Sequence, residues 1–328
     1  MKTLALTLLV AVQFLYYLLI AQTGIVEMFH SDLSRIFWLP MGGVLGTLLS
    51  GRLPGTLRRK LAVLLILQGW VTLSYASLSP ASLLILGLAM GASAPLMIRL
   101  LREGGPLVLG GALGLSYVAG TLLFTTPLLW RGPLGLGLTL AALLLLPWAE
   151  GRRRPRALPS LGAGGIAVMA LWAFLDSALF ETLSRDPSLS IWRDGHGLQI
   201  ALFHLLGIVL ALRAPLNWRR SRQAVALLFA LSYTAYFAAL PDLLAAVYPV
   251  AISYYNVVIL RRLSREADLR RVAAAMLAIG WGASGAGLGV ALTGTLLLVP
   301  IAMALYGTLR HFRSPSFHLQ EAQSSRNT

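Results

Sequence analysis

Twelve apolar stretches, each close to the length of a membrane-spanning helix, govern what this chain can fold into. They fall at roughly 4–23, 34–51, 60–77, 80–98, 106–128, 133–149, 161–183, 198–213, 222–240, 243–260, 271–291 and 294–309. A helix needs about 20 mostly apolar residues to cross a bilayer. Twelve such spans use most of the 328 residues, so the connections are short and no separate soluble domain fits. The chain is 57% hydrophobic and 12% charged, with a mean hydropathy of +0.75. A soluble domain carries about 25% charged residues. The expectation is an all-α integral membrane protein. Lys2 ahead of the first apolar run also fits a signal peptide, but the run is longer than a usual signal core, and losing it would leave the first half one span short.

The chain repeats itself about the basic break Gly151-Arg152-Arg153-Arg154-Pro155-Arg156. Arg99-Leu100-Leu101-Arg102-Glu103 returns 163 positions later as Arg262-Leu263-Ser264-Arg265-Glu266. Arg52-x-Pro54-x-x-x-Arg58-Arg59 returns 161 positions later as Arg213-x-Pro215-x-x-x-Arg219-Arg220. Two matches at nearly one offset, each between apolar runs of equal rank, read as an internal duplication. The expected architecture is 12 transmembrane helices as two parallel six-helix pseudo-repeats. Residues 1–150 form the first bundle, 151–160 a basic linker, 161–312 the second bundle and 313–328 a disordered polar tail.

Net charge is +15, but the basic residues sit between apolar runs rather than on one folded face, which excludes nucleic-acid binding as the reason for them. They report orientation instead, because cytoplasmic loops hold the excess of Lys and Arg. Counted by alternate loops, 23 of the 27 Lys and Arg fall on one side, and Arg35, Arg131, Arg185 and Arg193 on the other. Both termini and the central loop are therefore expected in the cytoplasm, with the inner membrane as location. Trp38 and Trp192, in the two longer external connections, read as interfacial anchors, with a lid over the mouth as the sharper alternative for the second loop.

With no cysteine, disulfides, thiolate metal sites and a cysteine nucleophile drop out. The five histidines show no ligand spacing, and His204, alone in a span, reads as a satisfied buried imidazole. No cofactor, metal site or enzymatic constellation is expected. The glycines of the fifth stretch (Gly110, Gly111, Gly114, Gly120) and of the eleventh (Gly280 to Gly289) read as close helix packing.

Six spans, a basic loop and six more resemble the major facilitator superfamily of secondary transporters over roughly residues 1–310. Gly46-Thr47-Leu48-Leu49-Ser50-Gly51-Arg52, followed by Arg58-Arg59-Lys60, is similar to that family's signature between its second and third helices. Ser50 stands where the family has an acid. The resemblance implies a cytoplasmic gate, expected here from Arg52, Arg58, Arg59, Arg102 and Arg265, with Glu103 and Glu266 as substitute acids. It also implies that the first, fourth, seventh and tenth helices line a central cavity.

On the seventh stretch, Asp176 is the clearest intramembrane acid, and such groups are functional hypotheses by default. At 100° per residue it shares a stripe with Met169, Trp172 and Phe180, a setting suited to taking up and releasing a proton or binding a cation, with a structural carboxylate that pairs with an arginine or caps a broken turn as the alternative. Glu181, nearer the surface, is a second proton-coupling candidate, though an interfacial carboxylate in water is its simpler reading. Gln13, Tyr16 and Tyr17 on the first stretch, Ser93 on the fourth, Trp172, and Tyr254, Tyr255 and Asn256 on the tenth are the expected substrate cavity. The expected function is proton-coupled transport of a small organic solute by a monomer, with protons or another coupling ion and the lipid bilayer as partners. The competitors are a non-transporting membrane sensor or assembly factor, and a metal-ion transporter.

Overall fold

In a computed structural model of the protein, residues 2–29, 33–149, 161–186, 188–213 and 217–301 are described. The linker (151–160), the tail (313–328) and the second half of the stretch at 294–309 lie outside them, although a helical turn begins at Leu298. Among the described residues every regular element is a helix. In chain order the long ones are α1 (Lys2–Met28), α2 (Trp38–Leu49), α3 (Leu57–Leu73) and α4 (Pro80–Gly104). There follow α5 (Pro106–Leu122), α6 (Leu128–Trp148), α7 (Ala163–Arg185) and α8 (Gly197–Arg213). The last are α9 (Trp218–Phe237), α10 (Pro241–Leu263) and α11 (Leu269–Thr293). Of these, α1, α4, α6, α7, α10 and α11 are long and apolar enough to cross a membrane. The protein is a multi-pass membrane protein.

Local chemistry sets the helix ends. Thr56, Ser79, Asn217 and Asp268 accept a backbone N–H from the first turns of α3, α4, α9 and α11, satisfying donors the helix itself leaves free. Pro80, Pro106 and Pro241 open α4, α5 and α10, where a missing N–H costs nothing. Gly105, at φ +78°, lets the chain turn at once from α4 into α5.

Close packing follows from small residues. Gly42 and Gly46 of α2 lie against the Leu84 and Leu88 carbonyls of α4, and Gly87 and Gly91 of α4 lie against Leu39 and Gly43 in return. Any Cβ on this seam would collide with backbone, so the helices approach as closely as backbones can. Gly207 of α8 meets Val250 and Ser253 of α10, and Gly287 of α11 meets Ser177 and Ala178 of α7. Among the described residues, nothing lies within 4 Å of a Cβ placed on Gly280, Gly285 or Gly289, and Gly287 is the member of that run seen against a neighbouring helix.

Packing is heaviest within α1–α6 and within α7–α11, and the two groups meet along α5 with α8 and along α2 and α4 with α11. Gly110 and Gly114 of α5 receive Leu212 and Leu205 of α8. Gly43 of α2 lies under the Trp281 ring of α11, whose Nε1 donates to Thr47 Oγ1 at 3.1 Å.

Two stretches wind more widely, as π-helix, over Tyr17–Ile25 of α1 and Leu277–Ala283 of α11. π turns displace backbone carbonyls from their usual donors, and in α1 the Thr23 hydroxyl donates to the Leu18 and Leu19 carbonyls. Arg131 completes the arrangement. It is no external-loop residue, as its place between apolar runs implied, but is 2% exposed in the first turn of α6. Its guanidinium donates to the carbonyls of Leu19, Phe124 and Thr126, to Thr23 Oγ1 and to Glu27 Oε2, at 2.8–3.1 Å. The charge is offset by Glu27, and every direction of the planar fork is used.

Removing Arg131 would strand three carbonyls among apolar neighbours, whereas Glu27, 39% exposed, can turn to water. Arg131→Met is therefore expected to cost about 3–5 kcal/mol, and Glu27→Gln, which removes the counter-charge of the buried guanidinium but keeps an oxygen acceptor, less than that, measured by thermal unfolding in detergent. An Arg131→Met protein as stable as the native one would contradict this reading.

Candidate functional site

Asp176 sits on α7, half-buried, where α9 and α10 close over it. Tyr248 and Tyr255 are seven residues apart on α10, two turns along one face, and their hydroxyls approach the carboxylate from either side. Tyr248 Oη donates to Asp176 Oδ1 at 2.8 Å and to the Asp176 carbonyl at 3.0 Å. Tyr255 Oη donates to Oδ2 at 2.6 Å. From α9, Tyr233 Oη donates to the Leu175 carbonyl at 2.9 Å, fixing the same turn of α7. Among the described residues no Lys, Arg or His forms an ion pair with Asp176. The acid is held by phenols alone, short charge-assisted bonds that leave its charge uncompensated.

Other aromatic groups reach the same place from the first six helices. Tyr17 of α1 lies within electrostatic reach of Glu181 and Asp176, and Tyr117 of α5 within reach of Asp176 and Tyr17. The Tyr117 ring stacks on His204 of α8 at 4.6 Å, and His204 Nδ1 meets Ser253 Oγ of α10 at 2.8 Å. His204 is thus a partnered, buried imidazole. Tyr17 keeps 40% of its surface open although it lies deep in the bundle, because it faces a cavity. Ala21, Gln22, Leu39, Met90 and Trp281 complete the lining, so the two π-helical stretches face each other across it. Its volume is about 60 Å³, far below the few hundred Å³ of a typical ligand pocket.

The other sequence candidates are spread more widely. Tyr16 turns away from the cavity, its hydroxyl 2.6 Å from Thr72 Oγ1 of α3. Gln13 points a buried Nε2 at no partner. Ser93 donates to the Met90 carbonyl of its own helix. Tyr254 bonds Ser221 of α9, and Asn256 donates to the Ile252 carbonyl while bonding Tyr255. Trp172 is buried against Trp218 at 5.4 Å, with the Arg262 guanidinium 3.6 Å over the Trp218 ring. It belongs to a cation–π stack at the arginine-rich end, apart from the Asp176 cage.

Glu181 is not the water-facing carboxylate that its place near the surface implied. It is buried and its Oε2 accepts from Arg185 at 3.2 Å, one turn on. Trp192 is likewise no interfacial anchor. It is 7% exposed and lies 5.5 Å from Phe124, 5.1 Å from Phe180 and 6.0 Å from Tyr248 between ring centroids.

At the arginine-rich end, Arg58 donates to the Ala149 carbonyl at 3.2 Å, and Arg52, Arg59 and Arg265 are exposed. Arg102 and Glu103 occupy the last turn of α4, half-buried. Ser50, where the family has its acid, donates to the Thr47 carbonyl. Glu266 accepts the backbone N–H groups of Leu161, Ala267 and Asp268 at 3.0–3.2 Å. Burial pushes its carboxyl up, but those donors outweigh burial and hold it below the usual range. It ties the entry of α7 to the turn before α11.

Sequence reasoning missed Tyr248, Tyr233, Tyr117 and Trp281. Tyr248 could have been found from Tyr255, being two turns away on the same face. Nothing in the sequence marks the other three.

No family model matches the chain, and no curated protein matches its sequence. Solved structures do match in shape. A bacterial homologue of the human lysosomal transporter Spinster, inward-facing and unoccupied, aligns at TM-score 0.50 with 15% identity, over 98% of this chain and 85% of that one. The inward-facing, occupied form of that homologue gives 0.49 with 16% identity, over 88% and 81%. The human organic anion transporter MFSD10 (TETRAN) gives 0.49 with 17% identity, over 91% and 97%. The fold assignment rests on the first of these, and the fold is that of the major facilitator superfamily.

Proposed function

We propose that the protein is a secondary transporter that moves a small organic solute by alternating access, coupled to protons through Asp176. The observation that carries this reading is Asp176 itself, caged by Tyr248 and Tyr255 with no cationic partner among the described residues. A structural carboxylate in a membrane is paired. One held only by hydroxyls can bind a proton without stranding a counter-charge. Tyr17 and Tyr117 approach it from the first helix group, so the acid lies where a rocking motion of two six-helix halves, 1–150 and 161–312, exposes it to each side in turn. The halves are pseudo-repeats joined by the basic linker, and the protein works as a monomer in the inner membrane, with both termini cytoplasmic. Arg52, Arg58, Arg59, Arg102 and Arg265, with Glu103 and Glu266, line the cytoplasmic gate. The described donors to the Asp176 carboxylate are phenols, a set that favours an organic solute over a metal ion.

One observation favours a second reading. Ser50 replaces the acid of the gate signature and bonds its own helix, as a non-transporting sensor or assembly partner of the same fold would tolerate. Flux separates the two. In proteoliposomes loaded with a pH dye and given a panel of small organic solutes, the native protein is expected to move protons with a solute. Asp176→Asn, matched for folding by its melting curve, is expected to lose at least about tenfold of that rate. Undiminished, equally pH-dependent flux in the variant would remove Asp176 from the mechanism, and no flux in the native protein with any solute would favour the sensor.

Orientation has its own test, helped by the lack of native cysteine. In intact cells Arg153→Cys is expected to escape a membrane-impermeant maleimide and Ser188→Cys to react with it. The reverse pattern would invert the topology.

A further inference from the structure

We propose that residues 188–196 form the gate of the mouth opposite the arginine-rich end, and that Asp176 controls this gate through Tyr248. Only the identity of what passes the gate rests on the transport reading above.

The segment is anchored where it leaves α7. The Asp186 carboxylate accepts the Ser188 hydroxyl at 2.6 Å and its N–H at 2.9 Å on Oδ1, and Tyr236 Oη at 3.3 Å on Oδ2. The Ser188 bonds above all hold that carboxyl below the usual range. A turn follows, closed by the Arg193 and Asp194 N–H groups on the Ser190 carbonyl, and it drives Ile191 and Trp192 inward to full burial. Tryptophan at a membrane mouth ordinarily sits among the headgroups. Here its ring fills a box whose walls are Phe180 of α7, Tyr248 of α10 and, across the seam, Phe124 at the end of α5. Arg193 crosses the same seam, its Nη2 3.6 Å from Glu27 Oε1, while Arg131 holds the other Glu27 oxygen. Both partners of that pair are well exposed, at 51% and 39%, so it is a weak latch that opens readily. The closure is apolar at its centre and ionic at its rim.

Tyr248 joins this closure to the acid. Its ring carries Trp192 and its hydroxyl donates to Asp176. The groups facing Asp176 are Tyr248 and Tyr255 of α10, Tyr233 of α9, Tyr17 of α1, Tyr117 of α5, and Glu181, paired with Arg185, on α7 itself. Of these, among the described residues, Tyr248 is the one in ring contact with Trp192. When a proton from water joins the carboxylate, one oxygen changes from acceptor to donor. The bonds to Tyr248 and Tyr255 lose their charge assistance, and the Tyr248 hydroxyl is left to share its one hydrogen with the Asp176 carbonyl or to turn away. The ionised acid holds Tyr248 in place and the gate shut, and the protonated acid releases it.

A labelling experiment on the purified full chain in liposomes, with no solute present, tests this. Ile191→Cys reports opening, and its rate with an impermeant maleimide is divided by that of exposed Ser188→Cys to remove the thiol's own pH dependence. The ratio is expected to be low in mildly alkaline buffer and to rise at least about threefold in mildly acidic buffer. Trp192→Ala should raise it about tenfold at either pH. Asp176→Asn, a neutral mimic, should fix it high, and Tyr248→Phe, which keeps the ring, should remove its pH dependence. Equal labelling of the two cysteines, no effect of Trp192→Ala, or pH dependence that survives Tyr248→Phe would each overturn the proposal. Because no flux is read, a protein that gates as described but moves no solute would lose the transport reading and keep this one.

Discussion

The rest of the structure is arranged around one costly group, a carboxylate placed well inside an apolar bundle. An uncompensated acid at that depth costs a few kcal/mol on insertion scales. Here two phenolic hydroxyls, not a cation, meet the charge. That choice fixes the neighbouring helices. α10 must present Tyr248 and Tyr255 to one side of α7, and it is held there by Gly207 of α8 against Val250 and Ser253. α9 must bring Tyr233 to the carbonyl one residue before the acid. α11 closes from behind, with Ser177 Oγ donating to the Ser284 carbonyl at 2.7 Å. A cation in the cage would have made a permanent ion pair. Hydroxyls can exchange donor for acceptor roles at little cost, as the proposed proton uptake requires.

The two helix groups touch at both ends of the central space, and they do so differently. Toward the arginine-rich end, and midway beside the cavity, the contact is knob against backbone: Leu212 on Gly110 at the end, and Trp281 on Gly43 midway. At the opposite end it is the Trp192 box with a thin ionic rim. With both contacts made, the cavity beside Tyr17 is about 60 Å³. The backbone-tight seam resists opening because packed surfaces are bistable rather than soft. The seam built from one inserted ring and one exposed ion pair separates more easily, since few groups must be desolvated or resolvated.

Of the twelve expected spans, the six described ones that are long and apolar enough to cross a membrane were readable because a span must satisfy its backbone internally and face lipid, which leaves a long apolar run in the sequence. Asp176 was readable for the converse reason, as an acid that breaks such a run, and Tyr255 because it belongs to a polar cluster in one. What the sequence could not supply is the partner across a helix interface. Depth along one helix says nothing of rotation toward another, so Trp172 and Tyr254 were grouped with Asp176 when they turn to Trp218 and Ser221. Arg131 was counted with the loops because an arginine near the end of a run ordinarily snorkels to water. Glu27, an acid at the end of α1, was the available hint that it does not. Ile191-Trp192, an apolar pair inside a polar connection, was the corresponding hint that this loop folds inward.

The measurement that bears most directly on the central claim is infrared difference spectroscopy of the purified protein in lipid across an acid step, with aspartate isotope-labelled at the carboxyl. The account predicts a protonated-carboxyl C=O band that shifts with the label and is absent in Asp176→Asn. Tyrosine ring bands should change with it and be reduced in Tyr248→Phe and Tyr255→Phe. An acid step that leaves no Asp176 band, or one whose tyrosine bands are indifferent to both substitutions, would contradict it.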